Sequence, residues 1–252
     1  MAESELTQAL TLSKSGDGFA GVAPKWRGPY LFGGFIVGQA VFAAGLTVPR
    51  DRRIHSLHAY FLLPALAERP LCHRVETVRD GRTFSQRSLQ VEQEGQVIFT
   101  MLCSFTAAPA ETVFEQPFDP SIPDPEGMPA ERARGGWDVV RLDPGAASSR
   151  RAWFRVTEDA PDDPLLNDAM LGFFSDMTGM GGHPIPLPNV NDWVSLDHAV
   201  WFHRPLRIGD WLYYETQTLV AAEKRATIRA TIHGPDRRLG LSMTQEALLR
   251  RG

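Results

Sequence analysis

The chain has 252 residues, of which 43% are hydrophobic and 22% charged, a composition typical of one or two globular domains. Fibrous, collagen-like and wholly disordered proteins are thereby excluded. The net charge of −4 argues against nucleic acid as the main partner, and no apolar run approaches the roughly 20 residues of a membrane span. The two cysteines are too few for a disulfide scaffold or a zinc site, and the first residues lack a signal-peptide pattern, so we expect a cytoplasmic protein.

The first predicted element is a helix over Phe32 to Leu46, which is apolar nearly all round and has Gln39 as its one strongly polar interior residue. A helix without a polar face has to be buried on most sides, and a sheet curled around it would achieve that. Gly33 and Gly34 open the helix, where backbone N–H groups can receive an anion or a developing oxyanion. Close packing of helix on sheet is the alternative reason for these glycines.

Strand patterns follow the helix. His55 and His58 precede an aromatic strand, and we interpret both as structural residues, because no cluster of His, Cys, Asp or Glu has zinc-site spacing. Two further strands are predicted around a Glu-Gly turn, over Arg82 to Val91 and over Val97 to Thr106.

A proline-rich acidic segment then occupies residues 109–134. Between Ala107 and Glu131 there are six acidic residues, six prolines and no Lys or Arg, and without those six carboxylates the net charge would be +2. Such a segment can bury little and cannot form a β-ladder, so it is predicted to be a linker. The predicted units are residues 1–108 and 135–252.

The second half repeats the order of the first. Its predicted elements are a helix over Pro164 to Met180 and strands over Ala226 to Ile232 and Leu239 to Leu249. Pairing Pro64 with Pro205 aligns the aromatic strands of LHAYFLLPALAERPL and LDHAVWFHRPLRIGDWL. Chance similarity is the alternative, but order and spacing together favour a duplication. Each unit is therefore predicted to be a helix followed by antiparallel strands.

Gln245 interrupts the apolar face of the closing strand in the second half, where the first half has Cys103. An amide in an apolar stripe costs on the order of 1–3 kcal/mol unless its hydrogen bonds are met. Either Gln245 is a core glutamine bonded to backbone, or it binds something in a site.

Asp176 shows the same anomaly on the second helix, where its spacing from Phe173 and Ala169 places it on the apolar face. Burial raises the pKa of a carboxyl group unless hydrogen bonds or a cation compensate. The alternative is a helix-end aspartate bonded to the loop that holds Gly179, Gly181 and Gly182. A carboxylate base and an amide can together hold a water for attack on an acyl carbon.

Ser195 is a third candidate ligand for that water. The alternative is that it is an ordinary serine at the start of a strand, without a role in a site. Ser195 is not predicted to be a nucleophile, because no G-x-S-x-G elbow surrounds it. His198 is not its predicted partner either, because residues three positions apart on a strand point to opposite faces. Dinucleotide and P-loop glycine motifs are absent. Basic residues that can meet a phosphate cluster at Arg79, Arg82 and Arg87, and at Lys224, Arg225 and Arg229.

Five dispersed motifs, FGGFIVGQAVFAA, HSLHAYFLLP, ETVRDGRTFSQRSLQV, LDHAVWFHRP and TQEALLR, resemble the acyl-CoA thioesterase II family. The resemblance runs from about Tyr30 to Arg250. It implies an α+β double hot-dog fold, in which two tandem units each have a long central helix wrapped by an antiparallel sheet.

In that family an aspartate, a threonine or serine, and a glutamine hold the attacking water. The matching positions are Asp176, Ser195 and Gln245, with serine in place of the commoner threonine. Gly33, Gly34, Gln39 and His58 are kept as secondary candidates for oxyanion or substrate binding. The resemblance implies an acyl-CoA substrate, no metal or other cofactor, and a homo-oligomer, either a dimer or a tetramer.

Two other functions stay open at this stage. Hot-dog folds also host enoyl-CoA hydratases, and the HRPLRIGDWL stretch would suit one, although no hydratase-type Asp and His pair is present. A non-catalytic acyl-CoA binder is the third reading, against which the polar Asp176 and Gln245 in apolar positions argue. The sequence around Asp176 differs from that of the family, so acyl-chain preference is not carried over.

Overall fold

The structure, a computed structural model, describes residues 4–26, 28–107, 112–158, 160–176, 184–188 and 190–251. The helices of this part are α1 (Glu5–Leu10), α2 (Gly33–Gly45) and α3 (Pro164–Ser175). The strands are β1 (Ser13–Ser15), β2 (Gly18–Gly21), β3 (Arg53–Phe61), β4 (Leu71–Asp80), β5 (Phe84–Gln93), β6 (Gln96–Thr106), β7 (Glu131–Arg132), β8 (Trp137–Leu142), β9 (Ser149–Val156), β10 (Val190–Ser195), β11 (Asp197–Phe202), β12 (Leu212–Ala221), β13 (Arg225–His233) and β14 (Leu239–Arg251).

All strands join one antiparallel sheet with the order β1-β2-β4-β5-β6-β3-β11-β14-β13-β12-β9-β8-β7, and β10 pairs with β14. The four strands predicted from the sequence are present as β5, β6, β13 and β14, with their ends shifted by no more than two residues. The two halves of the chain meet where β3 pairs with β11, so that backbone hydrogen bonds run across the whole sheet.

The helices α2 and α3 pack against each other in opposite directions. A Cβ atom added at Gly34 would lie 2.6 Å from the carbonyl oxygen of Phe173, and one at Gly38 would lie 2.8 Å from that of Ala169. At the other end, Gly45 lies against Leu165. Small residues thus let the two backbones approach closely, and the amino end of α2 meets the carboxyl end of α3.

Capping fixes the bounds of α3. Asp163 caps its amino end by accepting hydrogen bonds from the backbone N–H groups of Leu165 and Leu166, with Pro164 at the first position. The predicted end at Met180 is wrong, because Asp176 leaves the helical conformation and its carboxylate is held by residues of the sheet. The glycines predicted to assist at 179, 181 and 182 lie outside the described residues.

The acidic linker is anchored to the second half of the chain. Trp153 Nε1 donates a hydrogen bond of 2.9 Å to the carbonyl oxygen of Pro123, and Ile122 is buried beside that tryptophan. Glu115 and Asp124 pair with Arg238 and Arg237. The prediction that the segment forms no ladder is wrong at its carboxyl end, where proline is absent and β7 pairs with β8.

One ion pair connects the sheet to a helix through the interior. Arg53 on β3 forms two hydrogen bonds with the carboxylate of Asp168 on α3, one of them 2.6 Å long between Nε and Oδ2. The Asp168 side chain is 8% exposed and that of Arg53 is 32% exposed. Burial raises the pKa of Asp168, and the hydrogen bonds from Arg53 oppose that shift.

None of the helices in the described part is long and apolar enough to cross a membrane. Within the same residues, no group of three or more His, Cys, Asp or Glu side chains is arranged to hold a metal ion. Cys72 and Cys103 are free thiols.

Replacing Arg53 by methionine should destabilise the protein by about 2–4 kcal/mol, because it leaves the Asp168 carboxylate buried without its cation. The double variant Arg53→Met/Asp168→Leu should regain at least half of that loss. Urea unfolding followed by tryptophan fluorescence measures both. Arg69→Met removes an exposed ion pair to Glu94 and should change stability by less than about 0.5 kcal/mol. Equal losses in the single and double variants would contradict this account.

Candidate active site

Asp176 lies at the junction of α3 with the following segment, as the C-cap residue of that helix. Its side chain is 2% exposed. Since α3 runs antiparallel to α2, this end of α3 is placed next to the amino end of α2. The positive end of the α2 dipole favours a negative charge at this point, and the negative end of the α3 dipole, where Asp176 is the C-cap residue, opposes it.

The strand register brings the other two predicted residues to the same point. Ser195 on β10 pairs with Ala247 on β14, two residues beyond Gln245. Because side chains alternate along a strand, Gln245 and Ala247 share a face, and Ser195 lies diagonally across from Gln245 on it. Gln245 is fully buried and Ser195 is half-buried.

The three side chains form one hydrogen-bonded cluster. Gln245 Nε2 donates to Asp176 Oδ1 at 2.9 Å and also to Ser195 Oγ. Ser195 Oγ in turn donates to Asp176 Oδ1 at 3.5 Å. Gln245 Oε1 is buried and has no partner among the described residues, so it is an acceptor ready for a donor that enters the site.

Burial dominates the electrostatics of the cluster. It raises the pKa of Asp176 from its ordinary value of 3.8 to about 7, against the hydrogen bonds from Gln245 and Ser195, which lower it. A carboxyl group that titrates near neutrality is suited to taking a proton from water and returning it to a leaving group. The pKa shift therefore fits acid–base chemistry at physiological pH.

Gly33 forms the wall of the site opposite the strands. A Cβ atom at Gly33 would lie 2.6 Å from Asp176 Oδ2 and 3.0 Å from the ring of Phe61. Phe32, the N-cap residue of α2, makes no side-chain capping hydrogen bond. The first N–H groups of α2 therefore lack a side-chain acceptor from the N-cap residue, and Gly33, at the start of this helix, lies beside the carboxylate of Asp176.

Three buried residues beside the cluster, Ser175, His198 and Tyr214, are not among the predicted site residues. Ser175 Oγ donates to the carbonyl oxygen of Gly172, and His198 Nε2 lies 2.8 Å from the same Oγ, so β11 holds the last turn of α3. Tyr214 on β12 is buried, and its pKa is raised by burial and then by the charge of Asp176. A polar residue next to Asp176, and a histidine at a buried strand position, were the signals available.

Two secondary candidates lie elsewhere. Gln39 is buried inside α2, where its Nε2 donates to the carbonyl oxygen of Ala9 and its Oε1 lies 3.0 Å from His73 Nε2. Its amide is thus used to hold α1 and β4 against α2. His58 is exposed on β3 and contacts the ring of Trp201. The contacts of the described residues bring neither side chain to Asp176, whereas Gly33 does reach it.

Comparison with known proteins gives concordant results. A family model described as "Acyl-CoA thioesterase N-terminal domain" matches residues 22–106, and one described as "Acyl-CoA thioesterase" matches residues 138–245. Acyl-CoA thioesterase 2 of Haemophilus influenzae is 29% identical over 254 residues, covering 87% of each chain.

Solved structures agree with this match. The crystal structure of an acyl-CoA thioesterase II from Mycobacterium marinum is 32% identical, covers 98% of this chain and 97% of its own, and superposes with a TM-score of 0.84. A protein with a hot-dog fold from Alicyclobacillus acidocaldarius, 19% identical, covers 100% of both chains with a TM-score of 0.81, which shows the fold. The large antiparallel sheet is therefore that of a hot-dog protein, and this chain belongs to the acyl-CoA thioesterase II family.

Proposed function

We propose that the protein hydrolyses acyl-CoA thioesters to a free acid and coenzyme A, with Asp176, Ser195 and Gln245 as the residues that hold the attacking water. The observation that carries this proposal is the convergence of the three side chains at the amino end of α2. Family membership supports the reaction, and the geometry supports the assignment of residues.

In the proposed reaction, Asp176 accepts a proton from the water while the water oxygen attacks the acyl carbon. Gln245 Oε1, which has no other partner in the described part, accepts the second hydrogen of that water. The carbonyl oxygen faces the N–H groups at Gly33 and Gly34, which stabilise the negative charge that develops on it. The carbon–sulfur bond then breaks, and the proton on Asp176 passes to the thiolate of coenzyme A.

The phosphates of coenzyme A are placed beside the β12–β13 turn in this proposal. The backbone N–H of Leu249 bonds to the carbonyl oxygen of Lys224, so this turn lies next to the strand that carries Gln245. Lys224 is exposed, and Arg225 has only a partly exposed pair with Glu246. Both can meet an anion at the rim of the site.

We further propose the tandem arrangement predicted from the sequence, with units at residues 1–108 and 135–252 joined by the linker. Two observations support it: the sheet continues outward from the β3–β11 pair as β6-β5-β4 on one side and β14-β13-β12 on the other, and each half has a helix before these strands, α2 in the first and α3 in the second. Assembly into dimers or tetramers and a cytoplasmic location stay predictions.

Asp176→Asn should lower thioester hydrolysis at least about 100-fold, because the base is removed while the shape and the bond from Gln245 are kept. Release of free thiol from acyl-CoAs of graded chain length measures this effect. Asp192→Asn, at an exposed carboxylate on β10, is the matched control and should retain activity. Full activity in folded Asp176→Asn would exclude the mechanism, and formation of 3-hydroxyacyl-CoA from an enoyl-CoA would indicate a hydratase.

The pKa of Asp176 predicts opposite effects of pH on activity and stability. Activity should rise as pH increases through about 7, because the proposed base works deprotonated. Since the folded-state pKa lies above the ordinary value of 3.8, stability should fall as pH rises from about 4 to about 7. At pH 8, Asp176→Asn should therefore be about 2–4 kcal/mol more stable than the wild type, as measured by urea unfolding. A wild-type activity profile that is flat between pH 5.5 and 8 would contradict the assignment.

Gly33→Ala should abolish most hydrolysis, since the new methyl group would lie 2.6 Å from Asp176 Oδ2, too close for both to keep their positions, and would displace the carboxylate. The expected loss is about 100-fold in kcat. Gly172→Ala is the matched control in the same helix pair, because its methyl group would come no closer than 3.1 Å to any neighbour, the nearest being the side chain of Val41. Thiol release and circular dichroism of both variants compare activity with folding. Equal activity in the two variants would argue against a role for this wall of the site.

A further inference from the structure

The candidate active site lies where the amino end of α2 meets the carboxyl end of α3. At the second, opposite end of the helix pair, the carboxyl end of α2 occupies the equivalent position in the first half of the chain. Outward from the β3–β11 pair, the sheet continues as β6-β5-β4 on one side and β14-β13-β12 on the other, so β6 corresponds to β14 and β5 to β13. Cys103 on β6 pairs with Arg87 on β5, just as Gln245 on β14 pairs with Ile228 on β13. Thr47 is among the residues that directly follow α2, and Asp176 directly follows α3, so the two residues lie at corresponding helix ends.

Arg87 fills this second end. Its guanidinium is buried, with Nε donating to Thr47 Oγ1 and Nη2 donating to the carbonyl oxygen of Thr47, both at 2.9 Å. Nη1 pairs with Asp80 at 2.9 Å. Burial raises the pKa of the neighbouring Cys103 to about 12, so its thiol stays protonated. Among the described residues, the position that corresponds to Gln245 is thus held by the thiol of Cys103, beside a guanidinium bound to Thr47 and Asp80.

A cavity of about 240 Å³ opens on the surface at the same β4–β5 turn. Its lining residues are Arg79, Gly81, Arg82, Thr83, Phe84 and Gln86. The corresponding turn in the second half, between β12 and β13, is the basic one beside the candidate active site. The cavity thus lies where a ligand would approach the second end of the helix pair.

The cavity carries positive charge that is not neutralised. Arg79 and Arg82 are exposed, and neither forms an ion pair within the described residues. Asp80, the carboxylate between them, is already bound by Arg87 and Ser85. Two free guanidinium groups at one cavity are suited to bind a phosphate group.

The turn that carries these arginines is held in place. Arg52 donates to the carbonyl oxygen of Gly81 at 2.7 Å and to Ser85 Oγ at 2.8 Å. A braced loop loses less conformational entropy on binding than a mobile one. Phe84, 45% exposed, adds an aromatic face to the cavity, with His55 against it at a ring distance of 5.2 Å. An aromatic face beside arginines is the combination that holds a stacked base and its phosphate.

We propose that the cavity at the β4–β5 turn is a non-catalytic binding site for a nucleoside phosphate, with the phosphate on Arg79 and Arg82 and the base on Phe84. The nucleotide end of coenzyme A and a free adenine nucleotide share this chemistry. The cavity lies at the Arg53 end of β3, because Phe84 pairs with Thr106 and Thr106 with Arg53, whereas Phe61 at the other end of β3 lies beside Gly33 in the candidate active site. It therefore binds its ligand independently of the thioester under attack.

Isothermal titration of the full chain with ADP, with 3′-phosphoadenosine 5′-phosphate and with inorganic phosphate tests the proposal. Saturable binding of either nucleotide is expected, and whichever is tighter identifies the source. Arg79→Gln/Arg82→Gln should weaken nucleotide binding about tenfold or more. Phe84→Ala should weaken the binding of nucleotides by about tenfold and leave the binding of inorganic phosphate unchanged. The control is Arg150→Gln. Arg150 lies on β9 and, within the described residues, bonds to backbone carbonyl groups and to no carboxylate, so this variant should bind nucleotides as the wild type does.

Binding in Asp176→Asn should equal that of the wild type, so this test stands apart from hydrolysis. The proposal is overturned if neither nucleotide binds saturably, or if the double arginine variant binds as well as the wild type. Inorganic phosphate binding as tightly as both nucleotides would also overturn it, because the base would then contribute nothing.

Discussion

The close antiparallel approach of two helices is the constraint on which the site depends. Where α2 and α3 cross, glycines stand against backbone carbonyl groups at Gly34 and Gly38, and any larger residue would separate the helices. That approach puts Asp176, at the end of one helix, against Gly33 at the start of the other. The carboxylate therefore lies between the positive end of the α2 dipole, which favours its charge, and the negative end of the α3 dipole, which opposes it. A side chain at Gly33 would not fit against this carboxylate.

Much of this arrangement could be predicted from residues that break a pattern. Gln245 interrupts an apolar alternation and Asp176 an apolar helical face, and both are buried in the structure. The end of α3 is not predictable from periodicity, because the apolar spacing continues through Met180, whereas the helix ends at Ser175 and the next residue, Asp176, is hydrogen-bonded to the distant strand β14. Gln39 shows a related ambiguity: a buried amide looks the same in sequence whether it binds a ligand or, like the Nε2 of Gln39, donates to a carbonyl group of α1.

Each end of the helix pair holds a buried ionisable group, but only one of these groups has an oppositely charged partner. Near Gln245, a carboxylate is buried with only neutral donors, which leaves its pKa raised to about 7 and its free energy high. Near Cys103, a guanidinium is buried with a carboxylate and two acceptors of Thr47, which satisfies its charge. The first arrangement costs stability and provides a reactive group. The second connects a helix end to two strands and provides none.

The continuous pairing of β3 with β11 has a consequence for how the site is assembled. Gly33 comes from the first half of the chain, and Asp176 and Gln245 come from the second. In an assembly of separate subunits, such a composite site would come apart on dilution. Here the halves are joined both by the linker and by backbone hydrogen bonds, so their encounter is intramolecular and the effective concentration of one for the other is set by the tether. Completeness of the site is therefore a property of each single chain, independent of protein concentration.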